Sequence, residues 1–203
     1  MMNVILTIAV AFVLTLILGK FLIPALRALK AGQAIREDGP TWHKGKQNTP
    51  TMGGIIFVIA MTLAVLTTIP TMVAEHDWRP LVMLGLSLVF GFIGMVDDWT
   101  KIKKKKNQGI TPKQKLALQM AAAVLFVTVM RVMGYLESSL YIPFTGISLA
   151  IPFPVYVVFS IFIIIGADNA VNITDGIDGL CATVTAVVAA FFALFGLPVI
   201  GLL

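Results

Sequence analysis

Cysteine and histidine are nearly absent from this sequence of 203 residues, and charge is scarce. A single cysteine, Cys181, excludes an internal disulfide. Only two histidines occur, His43 and His76, and their wide separation argues against a histidine-based metal site. Charged residues make up 12% of the chain against 58% hydrophobic, and mean hydropathy is +0.95. A soluble domain is nearer half apolar and about a quarter charged, so a water-soluble globular fold is excluded. No internal repeat is present, which argues against an inverted-repeat transporter. The net charge of +5 does not signal nucleic acid. Its lysines and arginines gather in two loops between apolar runs, which is the pattern of membrane topology.

Those apolar runs are long enough to cross a bilayer, for which about 20 residues suffice. Six occur, at about residues 2–29, 52–74, 81–96, 116–136, 151–167 and 180–203. The first lacks the positive n-region and small-residue cleavage site of a signal peptide, so a retained helix is expected. Arg27, Lys30, Arg36, Lys44 and Lys46 lie between the first and second runs. Lys101, the run Lys103, Lys104, Lys105 and Lys106, and Lys113 and Lys115 lie between the third and fourth. The opposite loops hold only Arg79 and, near a helix end, Arg131. Positive loops stay in the cytosol, so both chain ends are expected outside. The loop between the fifth and sixth runs then faces the cytosol by alternation. Residues 140–151, with a Thr145-Gly146 centre, suggest a short outer hairpin. The expectation is a single all-α polytopic membrane domain over residues 1–203, with about six transmembrane helices and one β-hairpin.

Three motifs fall on the expected cytosolic side. Asp97-Asp98 ends the third apolar run and precedes the lysine block. Magnesium takes oxygen ligands, commonly one or two carboxylates completed by substrate phosphates. Two carboxylates at a helix C-terminus also oppose the macrodipole and call for a compensating positive charge. The second motif reads Asp168-Asn169-Ala-Val-Asn172-Ile-Thr174-Asp175-Gly176-Ile-Asp178-Gly179. Asn169, Asn172, Asp175 and Asp178 recur every three residues, so a partly helical loop brings them to one side. An EF-hand is excluded because its ligand spacing and closing glutamate are missing. The third, Lys46-Gln-Asn48-Thr49-Pro50-Thr51-Met52-Gly53-Gly54, offers a lysine, hydroxyls and amides at a helix N-terminus, a plain anion cradle. Together they point to metal-assisted chemistry on a phosphate-bearing substrate at the inner membrane surface.

At these residues the sequence resembles the phospho-N-acetylmuramoyl-pentapeptide-transferase family. The resemblance rests on Asn48 to Gly54, on Asp97-Asp98-Trp-Thr-Lys101 with Gly109 to Gln119, and on the stretch from Asn169 to Leu180. It implies transfer of phospho-MurNAc-pentapeptide from UDP to undecaprenyl phosphate, giving lipid I and UMP, with Mg2+. It implies Asp97 and Asp98 as metal-binding and catalytic residues, with Asp175 also catalytic. Lys46, Thr51, Lys101, Lys115, Asn169, Asn172 and Asp178 are then the substrate-binding residues. The partners implied are UDP-MurNAc-pentapeptide, undecaprenyl phosphate and membrane lipid, with no nucleic acid and with room for a homodimer. The location implied is the bacterial plasma membrane.

Members of that family carry Gly at the position of Asn48 and often Ser at that of Asp168. They also continue with further helices, a metal-binding aspartate and a histidine-rich loop. The resemblance therefore implies the first six helices of about ten, and a chain inactive by itself. The nearest alternative is a polyprenyl-phosphate N-acetylglucosamine-1-phosphate transferase, and the alternative from another class is a membrane transporter. A transporter expects ionisable residues near the bilayer midplane, whereas these acids gather at one set of helix ends.

Overall fold

The computed structural model describes residues 2–28, 51–104, 109–142, 145–176 and 178–202, with the side chains of 2–4 and 194–202 left aside. The chain forms two compact units, Met2–Glu137 and Ser138–Leu203.

In the first unit, α1 (Met2–Ala28) packs on α2 (Gly54–Leu66), α2 on α4 (Arg79–Lys104), and α4 on α5 (Pro112–Val132). The second apolar run is not one straight helix. It breaks into α2 and α3 (Ile69–Glu75), bent by 47°. Pro70 explains the break, because it has no N–H and its ring clashes with the carbonyl four residues back, that of Leu66. The hydroxyls of Thr67 and Thr68 at the bend donate to the carbonyls of Ala64 and Val65, each at 2.7 Å. The buried positions of α2 are Ile56, Ala60 and Ala64, one stripe at four-residue spacing whose small residues let helices approach closely. Gln119, Ala122, Ala123 and Val127 are the buried positions of α5, which packs on α4.

The chain leaves Val58 in α2, turns after Glu75, and returns along α4 to bring Gly91 against the Val58 side chain. α4 thus runs antiparallel to α2, and its onward residues continue toward the start of α2. α5 ends cleanly. The amides of Gly134 and Tyr135 donate to the carbonyls of Arg131 and Met130, and Gly134 takes φ +75°. This is a Schellman stop, which glycine closes without steric cost.

The second unit holds β1 (Ser139–Ile142), β2 (Ile147–Ala150), α6 (Phe153–Thr174) and α7 (Leu180–Leu202). The two strands pair antiparallel, as the sequence suggests for this stretch. Helices occupy all six expected apolar runs. Four of them, α1, α4, α5 and α6, are long and apolar enough to cross a membrane, and α2 with α3 makes a fifth if counted as one bent span. Large apolar side chains are exposed along them, for example Phe12, Phe92 and Phe162 at 63%, 59% and 76%. Lipid covers such surfaces in a multi-pass membrane protein, and this is one.

Candidate functional site

Asp97 and Asp98 do not end their helix, contrary to expectation. α4 runs on to Lys104, because the segment after the aspartates contains no helix breaker and its lysines suit a C-terminal turn. The two carboxylates therefore stand about two turns inside the helix end. Lys101 provides the compensating charge. Its Nζ lies 2.7 Å from Asp97 Oδ2 and 3.0 Å from Asp98 Oδ1, the i+4 and i+3 neighbours on one helix face.

Asp97 has a second partner. The backbone N–H of Ile110 donates to its Oδ1 at 2.9 Å, across thirteen residues of chain. Gly109 makes that approach feasible, since a Cβ there would overlap the Asp97 carboxylate and stand 2.8 Å from its carbonyl oxygen. The start of α5 holds this segment in place. Thr111 caps the helix with extended backbone, its Oγ1 accepting from Gln114 N at 3.3 Å while Gln114 Oε1 accepts from Thr111 N at 3.1 Å. Pro112 occupies the first turn, where its missing N–H costs nothing. This Thr-Pro-Lys-Gln capping box fixes where α5 begins and hence where Ile110 points. Lys104 closes the edge, its Nζ donating to the Gly109 carbonyl at 3.4 Å.

Thr51 lies at the same end of this unit, because α2 starts at Gly54 and runs antiparallel to α4. Met52 beside it has φ +66°, a left-handed conformation that costs an L-residue about 1–2 kcal/mol. Lys115 is half-buried in the first turn of α5, again at that end. Lys46, Lys105 and Lys106 lie outside the described residues. The opposite end of α4 and α5 carries a different cluster. There Asp77 Oδ2 meets Arg79 Nη2 at 2.7 Å, and Trp78 N donates to the Tyr135 hydroxyl at 2.9 Å.

In the second unit, the stretch expected as a loop is largely helix. α6 extends through Asn169 and Asn172 to Thr174, and Asp175 is its C-cap. Nothing in this stretch interrupts a helix before Gly176, and Gly179 at φ +80° makes the turn into α7. Asn169 is half-buried, with its Nδ2 donating to the Ile165 carbonyl at 2.9 Å. Asn172, Asp175 and Asp178 are exposed. The structure thus brings Asp97, Asp98 and Lys101 into contact and puts Thr51 and Lys115 at their end of the first unit. Asn169, Asn172, Asp175 and Asp178 belong to the second unit, along the last turns of α6 and the turn that follows it.

Two features escaped the sequence reading. Drawing the helix through to Lys104 would have shown Lys101 pairing with both acids, where the resemblance implied only substrate binding. The Ile110 amide has no side-chain signal, and only the glycine before it hints at close backbone approach.

The aspartate pair suits a magnesium ion chemically, offering two adjacent carboxylates of the kind that metal shares with phosphate oxygens. Among the described residues, no group of three or more His, Cys, Asp or Glu side chains is arranged to hold a metal. Two carboxylates are therefore what the aspartate pair itself can offer.

Residues 80–200 match the family model for glycosyl transferase family 4, and this span contains the aspartate pair, the Ile110 segment and the end of α6. Residues 46–58 match signature 1 of phospho-N-acetylmuramoyl-pentapeptide-transferase. Relatives of that name include one from Staphylococcus carnosus (strain TM300), 43% identical over 91% of this chain and 57% of the relative. Another, from Clostridioides difficile (strain 630), is 40% identical over 96% of this chain and 59% of the relative. The chain thus spans less than two thirds of the length of these relatives. It belongs to glycosyl transferase family 4, and within that family it is similar to the phospho-N-acetylmuramoyl-pentapeptide-transferases.

Proposed function

We propose that the protein carrying this chain transfers phospho-MurNAc-pentapeptide from UDP to undecaprenyl phosphate in the bacterial plasma membrane, with Mg2+, giving lipid I and UMP. The observation that carries this reading is the Asp97-Asp98 pair, held by Lys101 and the Ile110 amide inside the segment the family shares. An oxygen of the lipid phosphate attacks the sugar-bearing phosphorus. The bond to UMP breaks, and UMP leaves with the electron pair. A phosphate monoester is already largely ionised near neutral pH, its second pKa being about 6. The acids are thus needed for position and charge more than for removing a proton.

Asp97, pinned by two partners, acts as the fixed member of the pair. Asp98, bonded to Lys101 alone among the contacts described, is the member free to turn toward substrate. Bound Mg2+ would neutralise pyrophosphate charge and help align the attack. Asp97 and Asp98 would hold it, and Lys101 keeps their mutual repulsion small until it arrives. Lys46, Thr51 and Lys115 supply contacts to phosphate. Asn169, Asn172, Asp175 and Asp178 supply polar contacts on the nucleotide side, Asp175 being the catalytic one among them. The positive loops support a cytosolic position for this face, with both ends of the chain outside. A homodimer fits this reading without being required by it.

The test is transfer of labelled UDP-MurNAc-pentapeptide onto undecaprenyl phosphate, in membranes holding this chain together with the remainder of the Staphylococcus carnosus relative. Lipid-linked product and UMP are expected, with chelation of Mg2+ or Asp98→Asn removing both. Equal transfer from UDP-N-acetylglucosamine would redirect the reading to the N-acetylglucosamine-1-phosphate transferases. Product formed by the 203-residue chain alone would overturn the expectation that it is inactive by itself.

A further inference from the structure

The β1–β2 hairpin carries a surface that the transfer chemistry does not use. Directly opposed residues of an antiparallel pair share a face, as do alternate residues of one strand. The register pairs Leu140 with Leu149 and Ile142 with Ile147, so four aliphatic side chains occupy one face. Ser139, Tyr141, Ser148 and Ala150 occupy the other. Ile142, Ile147 and Leu149 are 38%, 52% and 49% exposed, so the described chain leaves the aliphatic face open. A lone two-stranded hairpin is at best marginally stable in water, and these strands have only four residues each. No Asp, Glu, Lys, Arg or His occurs from residue 138 to 167, so no charge holds the hairpin in water.

Its attachment decides what covers it. Ile151 N donates to the Ser138 carbonyl at 2.9 Å, which extends the ladder past β2, and Pro152 is already the N-cap of α6. Two residues reach at most about 7 Å. α6 is itself a candidate membrane span, and Val155 and Val158 in its first turns are 55% and 68% exposed. The headgroup layer is about 5–8 Å deep on each side of the bilayer, so the base of the hairpin is tethered within that layer. We infer that the face formed by Leu140, Ile142, Ile147 and Leu149 rests on lipid at the boundary between headgroups and acyl chains, continuing the lipid-facing surface of α6. The opposite face, with its serines and the tyrosine, is the one turned to water.

Quenching of a face-specific label tests this, independently of any transferase activity. The chain is made free of native thiol by Cys181→Ala and given one new cysteine, by Ile147→Cys or Leu149→Cys on one face, or Ser139→Cys or Ser148→Cys on the other. Each variant is labelled with a fluorophore and reconstituted in vesicles of phosphatidylethanolamine and phosphatidylglycerol. Nitroxide carried on the lipid acyl chain should quench the label at 147 and 149 several-fold more than at 139 and 148, and aqueous iodide should show the reverse order. Iodide reaching both faces equally would overturn the inference, as would nitroxide reaching both equally. Shielding of 147 and 149 from both quenchers would overturn it in favour of a protein surface. Two positions on each face keep the comparison valid if one substitution disturbs the turn.

Discussion

Gly109 is small because of what stands opposite it. Adding one methyl by Gly109→Ala drives a Cβ into the Asp97 carboxylate, so either the carboxylate swings away or the Ile110 amide withdraws. Overpacking of this kind costs about 1–3 kcal/mol. The expected outcome is a lower melting temperature in detergent together with a large loss of transfer in the complemented enzyme. Normal activity in Gly109→Ala would show that the clamp on Asp97 is dispensable. Lys101→Gln removes the cation paired with two half-buried carboxylates. It should destabilise by about 1 kcal/mol, the upper range for partly exposed pairs. Asp97→Asn in the same background should recover part of that loss, since the repulsion it relieves is then unscreened. A double-mutant cycle by thermal unfolding measures this coupling.

At the scale of elements, the start of α5 positions the site and can be weakened without touching it. Thr111→Ala removes the cap hydrogen bond from Gln114 N and should cost about 0.5–2 kcal/mol. Because the cap also sets where Ile110 points, the same variant should lower the turnover number more than substrate affinity, which a kcat and KM comparison reads. At the other end of the helix pair, hydrogen bonds from the Arg79 guanidinium hold the Asp77 carboxyl below its ordinary value of 3.8. A carboxyl depressed in the folded state contributes stability above its unfolded pKa and loses it as pH falls through the folded value. Asp77→Asn should therefore be less stable than the parent near neutral pH. The gap should close below about pH 4, in unfolding curves recorded across that range. Arg79 is 59% exposed, so the effect is small and shrinks further in high salt.

For the whole molecule, charge distribution predicts topology. A cysteine introduced at residue 107, next to the lysine run, should resist a membrane-impermeant thiol reagent applied from outside intact cells. One introduced at Glu137, beyond the end of α5, should react. The reverse pattern would place the aspartate pair on the wrong side for a cytosolic nucleotide. The family assignment and the placing of the acids toward helix ends both run against the transporter alternative.

Much of this protein follows from local properties that a sequence displays directly. Low charge and long apolar runs determine a membrane protein, because hydrocarbon tolerates little else. The Thr145-Gly146 turn between β-branched strands determines the hairpin, and the motifs determine the family. Helix ends were harder to read. Hydropathy stops at Val96 and Ala167, yet backbone hydrogen bonding continues to Lys104 and Thr174, because polar residues at a membrane surface propagate a helix as readily as apolar ones. Only the tertiary structure decided that Asp97 is clamped from α5. An amide donor leaves no mark in a sequence, and its direction is set by the packing of α4 on α5 and by the cap at Thr111.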